Sequence, residues 1–389
     1  MPIYQKHGKI PSKRHVVFRN GEGLYHEELF GTEGFASTSS LVYHLNPPTM
    51  VQELGESYSV RPEIAIEDNL RALSFTSFDI PACDDYIESR KTLFLNDDLQ
   101  VAIAKPTQSM ETYFFKNADC DELIFVHHGS GVLKSMYGSV EFEYGDYIVI
   151  PRGTVYQFKF VSEDNHLLIM ESHSPVRTPR RYRNDFGQML EHSPFCERDF
   201  KLPGNLETHS EEGEFKVMIK KRGLIYPYTY ATHPFDVVGW DGYNYPYAFS
   251  IFNFEPITGR IHMPPPIHQN FEGNNFVICS FVPRLYDYHP DAIPAPYHHS
   301  NIDSDEILYY VDGDFMSRNN IQKGSFTLHP AGIPHGPHPG AIERSIGKKE
   351  TQELAVMIDP FKPMKITRDA LKYEVKEYYK SWMTKPIIA

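Results

Sequence analysis

The sequence predicts an all-β chain built as two barrels, with long loops and a few short helices, and three observations carry that prediction. Runs rich in β-branched and aromatic residues recur along it, among them DELIFVHHGSGVL, GDYIVIPRGTVYQF, NNFVICSFVPRLYD and EILYYVDGDF. Thirty prolines and 25 glycines punctuate these runs, which suits short strands with long connections. The third observation is a repeat. Glu306 is followed seven positions on by Gly313, and then Gly324, Pro330, Gly332 and His335 stand as G-x5-P-x-G-x2-H. Glu122 is likewise followed seven positions on by Gly129, and Gly145, Pro151, Gly153 and Tyr156 repeat the second spacing.

Helix signals are few. The stretch RPEIAIEDNLRALSF from Arg61 and the stretch TRDALKYEVKEYYKSWM near the C-terminus are the two candidates. A length of 389 residues accommodates two domains at roughly 150 residues each. Hydrophobic residues at 41% and aromatics at 14% provide for a sizeable core. The expected division is 1–195 for an N-terminal barrel and 196–389 for a C-terminal one. Net charge is −13 without a long single-sign run, which argues against nucleic acid or an anionic membrane as partner. No run approaches ~18 apolar residues, and the N-terminus lacks the apolar stretch of a signal peptide. Cys83, Cys120, Cys196 and Cys279 lie far apart with no CxxC pair, as expected of free thiols. A soluble, cytoplasmic protein is expected.

The repeat has the spacing of the two cupin motifs, so the sequence resembles a bicupin, each copy a barrel of the jelly-roll kind. The copies differ in chemistry. Seven and five residues before its Glu, the C-terminal copy has His299 and Asn301, where the N-terminal copy has Phe115 and Asn117. The last motif position is His335 in one and Tyr156 in the other. Only the C-terminal copy therefore keeps two imidazoles and a carboxylate: His299, Glu306 and His335. Two His and one carboxylate with open positions are the ligand set of non-haem Fe(II) oxygenases. Asp305 is an alternative carboxylate if the loop slips by one residue. His298 is read as a rim residue, Asp303 as a turn residue, and His127 and His128 as structural.

A closer resemblance lies in HPFDVVGWDGYNYPY from His233, NFEPITGR, APYHHSN and LHPAGIPHGPHPG. These stretches resemble the homogentisate 1,2-dioxygenase family, most strongly between about Leu190 and Pro360. The resemblance implies an Fe(II) enzyme of phenylalanine and tyrosine catabolism that opens homogentisate with O2 to maleylacetoacetate. It implies trimers that pair into hexamers, hence a homo-oligomer. His299, Glu306 and His335 match the family's metal ligands, with one extra residue in the loop before Glu306, and His329 matches a histidine six residues before the last ligand.

Three positions depart. Phe315 stands where the family has a substrate-bonding tyrosine, Arg318 where it has a lysine, and Pro256 where its histidine base is expected. Replacement bases are sought in His262 and His268, with His329 the third candidate catalytic histidine. Arg318, Phe315 and His338 are the candidate substrate-binding residues, and Tyr297 or Tyr309 could supply a phenol hydroxyl. Alternatives to homogentisate cleavage are a gentisate-like dioxygenase acting on another hydroxyaryl acid, and a non-catalytic bicupin binding protein.

Overall fold

Side-chain alternation decides how the strands are layered. In the strand Asp121–His128, Ile124 and Val126 enter an apolar cluster with Leu133, Phe142 and Phe158. Their neighbours Leu123 and Phe125 join a second cluster that contains Ile307, Tyr309, Phe326 and Ile358. The strand Glu306–Asp312 mirrors this, with Ile307, Tyr309 and Val311 in the shared cluster. One sheet of each barrel thus turns an apolar face into a shared core, and the two barrels pack back to back. Each large apolar side chain so buried stabilises by roughly 1.5–3 kcal/mol.

The computed structural model describes residues 3–67, 69–313, 315 and 321–383. The first barrel is a two-sheet cupin barrel. One sheet runs in the order Phe200–Lys201, Tyr247–Ser250, Asp146–Ile150, Asp121–His128, His166–Ser172, Leu99–Ala104, Lys91–Leu95 and Lys365–Ile366. The other centres on Gly131–Ser135, Val155–Phe160, Phe114–Asn117, Glu212–Lys221 and Leu224–Thr232. The second barrel has the sheet Gln269–Gly273, Phe276–Phe281, Leu354–Pro360, Glu306–Asp312, Ser325–His329 and Leu73–Thr76.

Strand pairing crosses the expected boundary between residues 195 and 196. Phe200–Lys201, Glu212–Lys221, Leu224–Thr232 and Tyr247–Ser250 hydrogen-bond into the first barrel, while Leu73–Thr76 pairs with Ser325–His329 of the second. None of the described residues in the stretch from Arg61 is helical either. Pro62 disfavours a helical Arg61, Ala65 donates to the Ile366 carbonyl, and Leu73–Thr76 is a strand. Tertiary pairing wins over local propensity there. The C-terminal stretch keeps only one turn of α-helix, Arg368–Leu371, and a 3-10 turn, Tyr378–Trp382. All four cysteines are free, and no helix among the described residues is long and apolar enough to cross a membrane.

The motif glycines have a physical reason. Gly313 and its counterpart Gly129 have φ of +94° and +107°, a region L-residues rarely enter. A Cβ on Gly313 would lie 2.0 Å from the Gln352 carbonyl oxygen. The repeat therefore marks where each barrel strand ends in a turn.

Candidate metal centre

The outward parity that sends Ile307 and Tyr309 to the shared core sends Glu306, Leu308 and Tyr310 into the second barrel. Glu306 begins its strand, at one end of the barrel. His299 and His335 come from two loops that meet across an antiparallel bridge. Each backbone N–H donates to the other residue's carbonyl, at 2.9 and 2.8 Å. The Gly332 N–H adds a 2.7 Å bond to the Asn301 carbonyl. Residues 36 apart in sequence are so held that their rings lie 4.3 Å apart.

The Nδ1 atoms of both histidines face backbone carbonyls, Tyr297 O at 3.2 Å from His299 and Ile333 O at 3.0 Å from His335. A carbonyl only accepts, so each Nδ1 carries the proton and each Nε2 a lone pair. The two Nε2 atoms lie 3.4 and 3.5 Å from Glu306 Oε2. His335 Nε2 is buried without a hydrogen-bond partner among the described residues. Three electron-rich atoms converging within 4.8 Å of one another repel unless a cation lies between them. The donor set fits a divalent first-row metal, with positions left open on the cavity side.

The surroundings favour the charged carboxylate. His329 Nδ1 donates to Glu306 Oε1 at 2.9 Å and its ring stacks 4.7 Å from His335. Burial pushes the Glu306 carboxyl up, but the facing imidazoles of His299, His329 and His335 outweigh it and hold it well below the usual range. Asp305 stands outside this cluster. Its two oxygens accept the Ala331 and Met364 backbone N–H groups at 2.8 and 2.7 Å, so it fixes the loop that presents Glu306.

The centre opens onto a cavity of about 950 Å³ lined by aliphatic and aromatic side chains, including Leu308, Met357, Phe281 and Phe315. Phe315 packs its ring 4.6 Å from Tyr310. Both His262 and His268 line it, as do Tyr297 and His298. His262 Nδ1 lies 3.2 Å from Asp287 Oδ2 on the exposed rim. His268 is buried against Phe281, and burial, then the Arg284 charge, holds its pKa well below the ordinary value. His338 does not reach this cavity: its ring lies 4.1 Å from Trp382 and its Nε2 bonds Ser381 Oγ. Tyr309 is directed to the other barrel, where its hydroxyl meets His127 Nδ1. Arg318 lies outside the described residues.

The equivalent place in the first barrel is filled. Phe115 and Tyr156 are direct cross-strand partners, and the Tyr156 hydroxyl donates to Glu122 Oε2 at 2.7 Å. Arg90 completes the arrangement, donating to Glu122 Oε1 at 2.7 Å and also to Glu171. A guanidinium thus neutralises the carboxylate that corresponds to Glu306. Sequence reading found Phe115 and Tyr156 but missed Arg90, which lies outside the repeat.

A family model described as Homogentisate 1,2-dioxygenase N-terminal matches residues 5–251. The chain belongs to the homogentisate 1,2-dioxygenase family. A provisionally named dioxygenase of Saccharolobus solfataricus is 42% identical over 386 residues, covering 99% of this chain and 100% of that protein. The homogentisate 1,2-dioxygenase of Bradyrhizobium diazoefficiens is 24% identical over 93% of this chain and 86% of its own length. That of Pseudomonas putida is 25% identical over 97% and 92%. Among solved structures, a cupin 2 conserved barrel domain protein from Leptotrichia buccalis aligns over 78% of this chain and all of its own, at 9% identity and a TM-score of 0.33. The family model's span lies mostly ahead of the stretch 190–360 that carries the motif resemblance and the candidate centre.

Proposed function

We propose that this protein is an Fe(II)-dependent ring-cleaving dioxygenase acting on a hydroxyaryl acid, homogentisate first, to give maleylacetoacetate. The observation that carries the reading is the convergence of His299 Nε2, Glu306 Oε2 and His335 Nε2 on an aromatic-lined cavity, in a chain of this family. Iron held there supplies a template and an electron conduit between an aromatic diol and dioxygen.

The chain's own residues do the rest. Leu308, Met357, Phe281 and Phe315 give the substrate ring an apolar wall. Arg260 and Arg284 bring positive charge to the cavity, but Arg284 is matched by Glu353 at 2.9 Å. Arg260 is therefore the described cation for the carboxylate, beside the Arg318 of the sequence expectation. His262 is the favoured base. Asp287 orients its Nδ1, leaving Nε2 to take a phenolic proton, and the exposed rim lets that proton leave to water. His268 is disfavoured because burial and Arg284 oppose its charging. His329 touches Glu306 rather than the cavity's open side and acts as a positioning residue.

Phe315 and Pro256, where the family has a tyrosine and a histidine, favour a related hydroxyaryl acid as the second reading. Iron-loaded enzyme tested for oxygen uptake and ring-opened product decides between them. Turnover of homogentisate above other dihydroxy acids is expected; consumption of a different diol alone would replace it. A homo-oligomer, trimer or hexamer as in the family, is part of the same proposal and is read by light scattering.

A further inference from the structure

Two aspartates flank the candidate centre, and they are treated differently. Asp305 is fully engaged by two backbone N–H groups. Asp359 lies on the strand Leu354–Pro360, whose register pairs Ile358 with Ile307 and Met357 with Leu308. One step further along that register places Asp359 opposite Glu306. Cross-strand neighbours share a sheet face, with Cβ atoms about 4.5–5.5 Å apart, so both carboxyls belong to the inner face of the barrel. Asp359 accordingly lines the large cavity. It is not in the ligand cluster, which among the described residues comprises His299, Glu306 and His335.

Its surroundings give it little to bond. The inner face beyond it includes Met357, Ala355, Leu308 and Phe281, and its Oδ1 is buried without a hydrogen-bond partner among the described residues. A buried polar atom left unpaired destabilises the fold, so a purely structural carboxyl would be partnered as Asp305 is. Asp359 thus offers a carboxyl to the cavity beside the apolar Met357, Ala355 and Leu308, one strand from Glu306.

We propose that Asp359 is a substrate-binding residue that hydrogen-bonds a ring hydroxyl and so sets which edge of the aromatic ring faces the metal centre. The assignment rests on the dioxygenase reading above and deepens it to a specificity: hydroxylated rings over plain arylacetates. A carboxyl in this position accepts from a phenolic O–H, and an apolar side chain of similar size cannot. A ring lacking the hydroxyl leaves the carboxyl as unpaired as before and gains nothing from it.

The test is anaerobic binding of 2,5-dihydroxyphenylacetate and of phenylacetate to iron-loaded wild-type, Asp359→Asn and Asp359→Leu proteins, with iron content and melting temperature measured for each. Iron content is expected to stay at the wild-type level in both variants. The leucine variant is expected to melt no lower than wild type, because a buried, unpaired carboxyl oxygen is removed. Its affinity for the dihydroxy acid should fall roughly tenfold or more while that for phenylacetate changes little, and asparagine should recover part of the loss. Equal loss for both acids, no loss for either, or loss of iron would overturn the role of Asp359 while leaving the reaction class standing. Failure of the wild-type protein to bind either acid would instead sink the aryl-acid reading, and the role of Asp359 with it.

Discussion

At the scale of single residues, the centre depends on which atom of each side chain is left over after its other bonds are made. Carbonyls hold the Nδ1 protons of His299 and His335, and His329 holds one oxygen of Glu306. What remains is two Nε2 atoms and one carboxylate oxygen. One iron per chain is expected by elemental analysis, and His335→Ala should lose it with little change in the circular dichroism of the barrels. Two metals per chain, or iron retained in that variant, would contradict the ligand set. His329→Asn tests the outer contact. Removing a group that orients a ligand typically costs 10–100-fold in metal affinity, so iron should be retained at high metal and lost at a chelator concentration that wild type withstands. His262→Gln should lower turnover by roughly 10²–10⁴-fold, the range for a positioned proton acceptor, with iron content unchanged. An unaffected rate would shift the role of base elsewhere.

At the scale of elements, the same motif builds a candidate ligand site in one barrel and a buried ion network in the other. The short helix Tyr86–Ser89 ends at Arg90, which is delivered between Glu122 and Glu171. Lys220 also bonds Glu171, whose carboxyl burial pushes up but Lys220 and Arg90 pull down to about 2. Removing the guanidinium leaves two buried carboxylates short of positive charge. Breaking one partner of a buried ion pair commonly costs 3–5 kcal/mol. Arg90→Met should therefore lower stability by about that much in denaturant titration, with the iron content of the other barrel preserved. Tyr156→His should still bind no metal, since Phe115 and Arg90 remain in place; a second iron in that variant would refute the structural reading of this barrel.

At the scale of the whole molecule, long-range pairs hold the chain together, and one of them makes stability depend on pH. His44 lies between Asp236 and Glu28, 2.7 and 3.1 Å away. Burial pushes its pKa down, but the hydrogen bonds with Asp236 and Glu28 outweigh this and raise it to about 9. The ordinary histidine value is ~6.5. A raised pKa contributes stability that is fully present below ~6.5 and is lost as pH rises through about 9, in total roughly 3 kcal/mol. Thermal melts between pH 6 and 10 should show that loss, and His44→Asn should be less stable at pH 6 and flatter in its dependence. Equal slopes for the two proteins would remove His44 from the account.

Much of this was written into local sequence, because it depends on spacing. The repeat of Glu, Gly, Pro and Gly follows from strand length and from turns that only glycine enters easily, so two barrels and one His–Glu–His set could be read without coordinates. Period-two geometry separates odd from even residues in DELIFVHH and EILYYVD, but which set meets the shared core was decided by how the barrels pack. Other features depended on partners distant in the chain. The stretch from Arg61 has helical composition, yet its end, Leu73–Thr76, is a strand, because it is taken up by a strand some 250 positions later. Arg90 and Asp359 carry no motif, and only the meeting of separate strands gives one a carboxylate to neutralise and sets the other in the cavity wall. His338 sits in the motif region but packs on Trp382 instead of the cavity. Spacing along a strand fixes which face a side chain takes; what it meets on that face is fixed by the tertiary structure, since the partner comes from elsewhere in the chain.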